Sequence, residues 1–251
     1  LAVAGLEGLS AWQRAAVPFA ALAFLAATCI LLVADLKRPD RFLYILLRPN
    51  WSSWLARGTY AIAVYSLMLV SWFFRALSAE PGSVASDPYF WLTTAAGGLT
   101  AAYTGWLFAQ ARGRVLWMRR GSWAHLLVHA LLAGAAVVAP WGPGWVIDLF
   151  LVGLVLQGTF MLAEQRLAPK GREAEYRRAS HLLTHGPYAR AYWRMGLLVG
   201  VVVPVLCLLV SFSTGAGIAP VLTSIAAACA LIGLYAEERT WVHAGQALPI
   251  S

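Results

Sequence analysis

The sequence predicts an all-α, polytopic integral membrane protein. Two observations carry that prediction. Sixty per cent of the residues are hydrophobic and only 12% are charged, too apolar a balance for a soluble domain of 251 residues. Apolar runs near the ~20 residues needed to span a bilayer recur at 11–34, 58–77, 90–111, 121–139, 145–164, 194–214 and 216–236. In lipid only helices and closed barrels satisfy their own backbone, and runs of this length are helical.

The connectors between the seven runs alternate in charge. Lys37, Arg38, Arg41, Arg48 and Arg57 fall in 35–57, and Arg112, Arg114, Arg119 and Arg120 in 112–120. Arg166, Lys170, Arg172, Arg177, Arg178, Arg190 and Arg194 fall in 165–194, and Arg239 follows the last run. Only Arg14 and Arg75 of the 19 basic residues lie at the opposite ends. The positive-inside rule makes the basic loops and the C-terminus cytoplasmic. The net charge of +8 suggests nucleic acid, but these residues flank apolar spans. They read as topology signals and contacts to anionic lipid, so no nucleic acid is expected. Tryptophans 51, 54, 72, 91, 117, 141, 145, 193 and 241 stand near span ends, as an interfacial belt requires.

Element by element, the chain reads as one integral membrane domain over 1–251. Leu1–Leu9 resembles the outer end of a helix whose body is absent, and restoring it makes eight spans. A weak internal repeat supports eight. The passage out of the span at Asp35 resembles that at Glu164, and Thr104–Arg112 resembles Ile232–Arg239, each four helices on. This predicts two four-helix bundles. Residues 1–139 would hold the remainder of the first bundle and the first helix of the second, and 145–251 the rest.

Ionisable groups at membrane depth are costly and mark function. They gather at one level: Asp35, Tyr103, His125, His129, Glu164, Glu237, Glu238 and Arg239. His125 and His129 stand at i and i+4, on one helix face. A haem held by two histidines needs them on opposing helices, and no other span carries one, so no haem is expected. Cys29, Cys207 and Cys229 are scattered through spans, which excludes an iron–sulfur or zinc site of the chain's own. Each of these groups also has a structural reading: a packed histidine pair, a Tyr103 bonded to a neighbouring helix, a Glu164 paired with Arg166 or Lys170. A secondary transporter and a haem-b electron carrier are the competing functional classes.

Asp35-Leu-Lys-Arg-Pro-Asp-Arg-Phe42, then Ser53-Trp54 and Gly58, resembles a loop of the NrfD/PsrC-type (polysulfide reductase membrane anchor) family. Tyr103-Thr104-Gly105 and the segment from Arg239 to Gln246 are similar to that family's later motifs, in the right order. Lys37 departs from the usual Gly. The resemblance implies a quinone-interacting anchor of a respiratory oxidoreductase, using menaquinone or ubiquinone. It implies a ferredoxin-like iron–sulfur partner and a molybdopterin-type catalytic subunit, with no haem or metal on this chain. It makes Asp35, Arg38, Pro39, Arg41, Arg239 and Gln246 an interfacial structural motif. Tyr103, His125, His129 and Glu164 become candidates for quinone binding or the proton route. No residue of the chain is expected to act on the terminal substrate, which belongs to partner subunits.

Overall fold

A computed structural model describes residues 11–34, 42–78, 87–215 and 217–247. They are helical, with no strand among the described residues. The helices are α1 (Ala11–Ala34), α2 (Phe42–Leu47), α3 (Trp54–Ser78), α4 (Pro88–Ala109), α5 (Ser122–Val138), α6 (Gly144–Ala163), α7 (Glu173–Thr184), α8 (Val203–Ser211) and α9 (Ala219–Ala247). Short 3-10 turns occupy Val115–Met118 and Glu164–Arg166, and a π-helix, Ala191–Val202, runs directly into α8.

Five helical stretches are long and apolar enough to cross a membrane: Ala15–Ala34, Trp54–Ser78, Gly144–Arg166, Ala191–Ser211 and Ala219–Ala247. The other two expected spans are also helices. Thr93, Thr94, Gly97, Gly98, Thr100 and Tyr103 dilute the apolar character of α4, and α5 has only 17 residues. The protein is thus an all-helical, multi-span membrane protein. Large apolar side chains such as Phe24, Leu67 and Val155 are exposed, which suits helices whose outer faces meet acyl chains.

Two connectors expected as loops contain helix. In 35–57, Phe-Leu-Tyr-Ile-Leu-Leu forms α2, which closes before Arg48-Pro49 because a residue preceding proline avoids helical geometry. In 165–193, α7 buries Tyr176, Ala179, Ser180, Leu183 and Thr184, spaced on one face. Glu173 and Glu175 in its first turn favour the helix dipole, and the Glu173 carboxylate accepts from the Gly171 N–H at 3.0 Å. Its own backbone N–H first, then that bond, and then the nearby Arg120 and Arg177 hold its pKa below the ordinary value.

Contacts divide the chain into two compact units, one up to Leu107 and one from Phe108. In the amino-terminal unit α1 lies along α3, with Phe19 and Phe73 at 6.3 Å. Asp87 starts α4 by accepting from the Tyr89 N–H at 2.9 Å, with Pro88 at the first helical position. The Trp54 and Trp106 rings stack at 4.7 Å, and Tyr89 donates to the Met68 carbonyl at 3.1 Å.

In the carboxy-terminal unit, α5, α6, the π-helix with α8, and α9 surround a core that includes Leu132, Phe150, Leu154, Leu208, Ala226 and Ala230. The π-helix and α9 meet backbone to backbone, where a Cβ on Gly200 would come 2.7 Å from the Gly233 Cα. Small residues at such crossings let helices approach in a membrane. The winding returns to α just before Pro204, which cannot donate to the carbonyl four residues back.

Candidate functional site

Polar side chains from five elements converge inside the carboxy-terminal unit. The turn before α5 supplies Arg119, α5 supplies His125 and His129, and α6 supplies Gln157 with Glu164 at its end. Tyr176 comes from α7, and Glu237 and Glu238 come from α9. All but Glu238 are buried.

Arg119 organises one end. Its Nη1 donates to Glu164 Oε2 at 2.5 Å, and its other terminal nitrogen donates to His125 Nδ1. The Trp241 ring lies 5.1 Å from the guanidinium carbon. Burial opposes the charge on Arg119, but Glu164 and then Glu237 outweigh it, so its pKa lies above the ordinary value. Tyr176 donates to Glu164 Oε1 at 2.6 Å. Burial first, and the Glu164 carboxylate second, push that phenol far above its usual range, so it stays a neutral donor. Glu164 is therefore held by Arg119 and Tyr176, not by the Arg166 or Lys170 that sequence proximity suggests.

The histidines form a ladder from this pair. His125 Nε2 lies 2.9 Å from Gln157 Oε1 and 3.0 Å from His129 Nε2. His129 Nδ1 faces Glu238 Oε1 at 2.8 Å, and its Nε2 faces Glu237 Oε2 at 3.3 Å. The side chain of Glu238 is 53% exposed and that of Glu237 only 2%. One histidine thus touches a surface carboxylate with one ring nitrogen and a buried carboxylate with the other. A proton taken at one nitrogen can leave from the other.

One ligand atom each from His125, His129 and Glu237 lies within 4.8 Å of the others, a spacing that would hold a metal ion. Donor accounting argues against that use. Arginine only donates, so His125 must accept at Nδ1 and carry its own proton on Nε2. A protonated nitrogen is not a ligand. The geometry suits proton exchange better than metal coordination.

At the end of α6 a cavity of about 270 Å³ opens beside Glu164, lined by Gln165, Arg166, Thr184, His185 and Trp193 together with Met161 and Leu162. Gln165 and Trp193 both bond Thr184, at 2.9 Å through its hydroxyl and 2.8 Å through its carbonyl.

Of the residues expected from sequence, His125, His129 and Glu164 meet in one network. Tyr103 belongs to the amino-terminal unit, buried with its ring against Gly58, where a Cβ would collide with it. Arg239 is exposed on α9, and the Gln246 carbonyl accepts from Arg114 Nη1 at 2.9 Å. Asp35, Arg38, Pro39 and Arg41 lie outside the described residues. Sequence reading passed over Arg119 as a topology charge and did not single out Gln157 or Tyr176. Gln157, a lone amide within an apolar run, carried a usable signal.

Fold and site together define a multi-span helical membrane protein with a buried polar cluster beside a cavity at a helix end. The family model described as polysulphide reductase, NrfD, matches residues 12–141, and the chain belongs to that family. NrfD proteins are membrane anchors of polysulphide reductase-type redox complexes. No curated protein and no solved structure matches the chain significantly.

Proposed function

We propose that this chain is the quinone-interacting membrane anchor of a multi-subunit respiratory oxidoreductase. It passes electrons between a ferredoxin-like iron–sulfur partner and menaquinone or ubiquinone in the bacterial or archaeal cytoplasmic membrane. A molybdopterin-type partner carries the substrate chemistry, and this chain binds neither haem nor metal. The observation that carries the reading is membership of the NrfD family over 12–141.

The buried network supports it chemically. Quinone reduction consumes protons as well as electrons, and protons do not cross a hydrocarbon interior unaided. Exposed Glu238 and buried Glu237 meet at His129, which can carry a proton inward, while Arg119 keeps its protons and fixes Glu164 beside the cavity. That cavity joins apolar Met161 and Leu162 to the side chains of Gln165, Arg166 and His185, a lining that suits a quinone ring and its carbonyls. Tyr103 is a second candidate for a quinone carbonyl or the proton route. In this reading the chain has seven spans, with 35–57, 112–120 and 165–193 cytoplasmic.

The test is quinone-linked turnover of the intact complex carrying Tyr103→Phe or Glu164→Gln, with the co-purifying subunits identified. The expected result is iron–sulfur and molybdenum subunits in the particle and at least a tenfold loss of turnover in one variant. Full activity in both, with quinone-site inhibitor affinity unchanged, would reduce these residues to structural ones. A chain that purifies alone, or a haem absorption band of its own, would overturn the function.

A further inference from the structure

We propose that Arg119, Ser122, Glu237 and Trp241 hold one water molecule that ties the Glu237 carboxylate to the Arg119 guanidinium. Its place on a proton route rests on the function proposed above; the water site itself does not. A cavity of about 20 Å³ lies among these four residues, His129 and Glu238. That is room for one water, which needs roughly 10–15 Å³ and two to four polar partners.

Among the described residues, four buried polar atoms without a hydrogen bond belong to residues lining this cavity; a fifth, Trp117 Nε1, does not. The four are Arg119 Nε, Ser122 Oγ, Trp241 Nε1 and Glu237 Oε2, the last of which approaches His129 Nε2 at 3.3 Å. Leaving a buried polar atom unpaired is costly, so four around one cavity need a common explanation. Their chemistry matches the valences of water. Arg119 Nε–H and Trp241 Nε1–H only donate, and water accepts two such bonds. Glu237 Oε2 accepts, and the Ser122 hydroxyl can accept, so water donates its two hydrogens there. A cation would face two N–H donors, and an anion would face a carboxylate. A neutral molecule that both donates and accepts fits all four.

The consequence concerns position. Arg119 already bonds Glu164 directly, and the water gives it a second, indirect carboxylate partner. Glu237 is thereby held with Oε2 at His129 Nε2, the contact across which a proton can pass. Glu237 exchanges the proton with His129; the water and Arg119 are positioning groups and give none up.

The test uses the intact complex and does not read turnover. A structure at a resolution that shows ordered waters should place density within about 2.7–3.2 Å of at least three of the four atoms. Infrared difference spectra in heavy-oxygen water should contain a water O–H band that shifts with the isotope. That band should vanish in Ser122→Val, whose methyl groups fill the cavity, and persist in Ser122→Thr, which keeps the hydroxyl. The Glu237 carboxyl band should move in Ser122→Val and in Trp241→Phe. If Ser122→Val does not assemble, Trp241→Phe alone decides, by weakening or losing the band. An empty cavity, direct pairing of the four atoms, or a water band unchanged in Trp241→Phe would overturn the proposal.

Discussion

At the scale of single residues, the Arg119–Glu164 pair is the site's most consequential contact, because both partners are almost wholly buried. Breaking a buried ion pair leaves one charge uncompensated and typically costs about 3–5 kcal/mol, whereas removing both charges can be nearly neutral. Arg119→Met should therefore lower the thermal unfolding midpoint sharply. Arg119→Met with Glu164→Gln should lie closer to wild type than the sum of the singles, and strict additivity in that cycle would show that the pair is not coupled. A second residue-scale prediction concerns Asp87, whose pKa is lowered by the Tyr89 N–H and then by Arg75. A depressed folded pKa stabilises above the ordinary value of 3.8 and loses that stability as pH falls through the folded value. Asp87→Asn should lower stability at neutral pH slightly and flatten acid lability in that window; an unaltered acid profile would show that the helix start does not depend on this charge.

At the scale of elements, the helices were legible because their signal is local, whereas much of the site was not. Apolar runs and alternating basic connectors are read within twenty residues, and His125 and His129 announce a shared face by their spacing. Tyr176 was hidden because α7 is polar on average and only its buried face shows a pattern. Arg119 was hidden because its carboxylate partner lies 45 residues away. Sequence supplies the candidates; pairing is decided by which helices pack together. That packing turns on Gly200 and Gly233, where the π-helix and α9 come closest. Gly233→Val should force these backbones apart, displace Glu237 and Trp241 on the same helix, and destabilise the unit by roughly 1–3 kcal/mol or more through overpacking. The measurements are the unfolding midpoint and the position of the infrared carboxyl band. An unchanged midpoint and band would mean that the crossing tolerates a side chain.

At the scale of the whole molecule, the proposed orientation rests on the distribution of charge. Sixteen of 19 basic residues fall in three connectors that alternate with nearly uncharged ones, and Arg239 lies toward the C-terminus. Each lysine or arginine near an anionic surface contributes about 1 kcal/mol, so a split this uneven leaves little competition from the inverted topology. Five helices qualify as spans by length and composition, and the parity of the proposed seven depends on α4 and α5 crossing as well. If either failed to cross, the basic connectors on its two sides would move to opposite faces. This is measurable with single cysteines, after replacing Cys29, Cys207 and Cys229 by Ala. Arg48→Cys, Arg120→Cys and Lys170→Cys should react with an impermeant thiol reagent only when the cytoplasmic face is open to it. Ser78→Cys and Ser213→Cys should react in sealed cells. Arg120 stands between α4 and α5, so its cysteine reports whether α4 crosses, and Lys170→Cys read with it reports whether α5 does. Labelling of Arg120→Cys in sealed cells would remove the seven-span topology, while its labelling with Arg48→Cys and Lys170→Cys from the cytoplasmic side alone would place the mouth of the cavity beside Glu164 on that face.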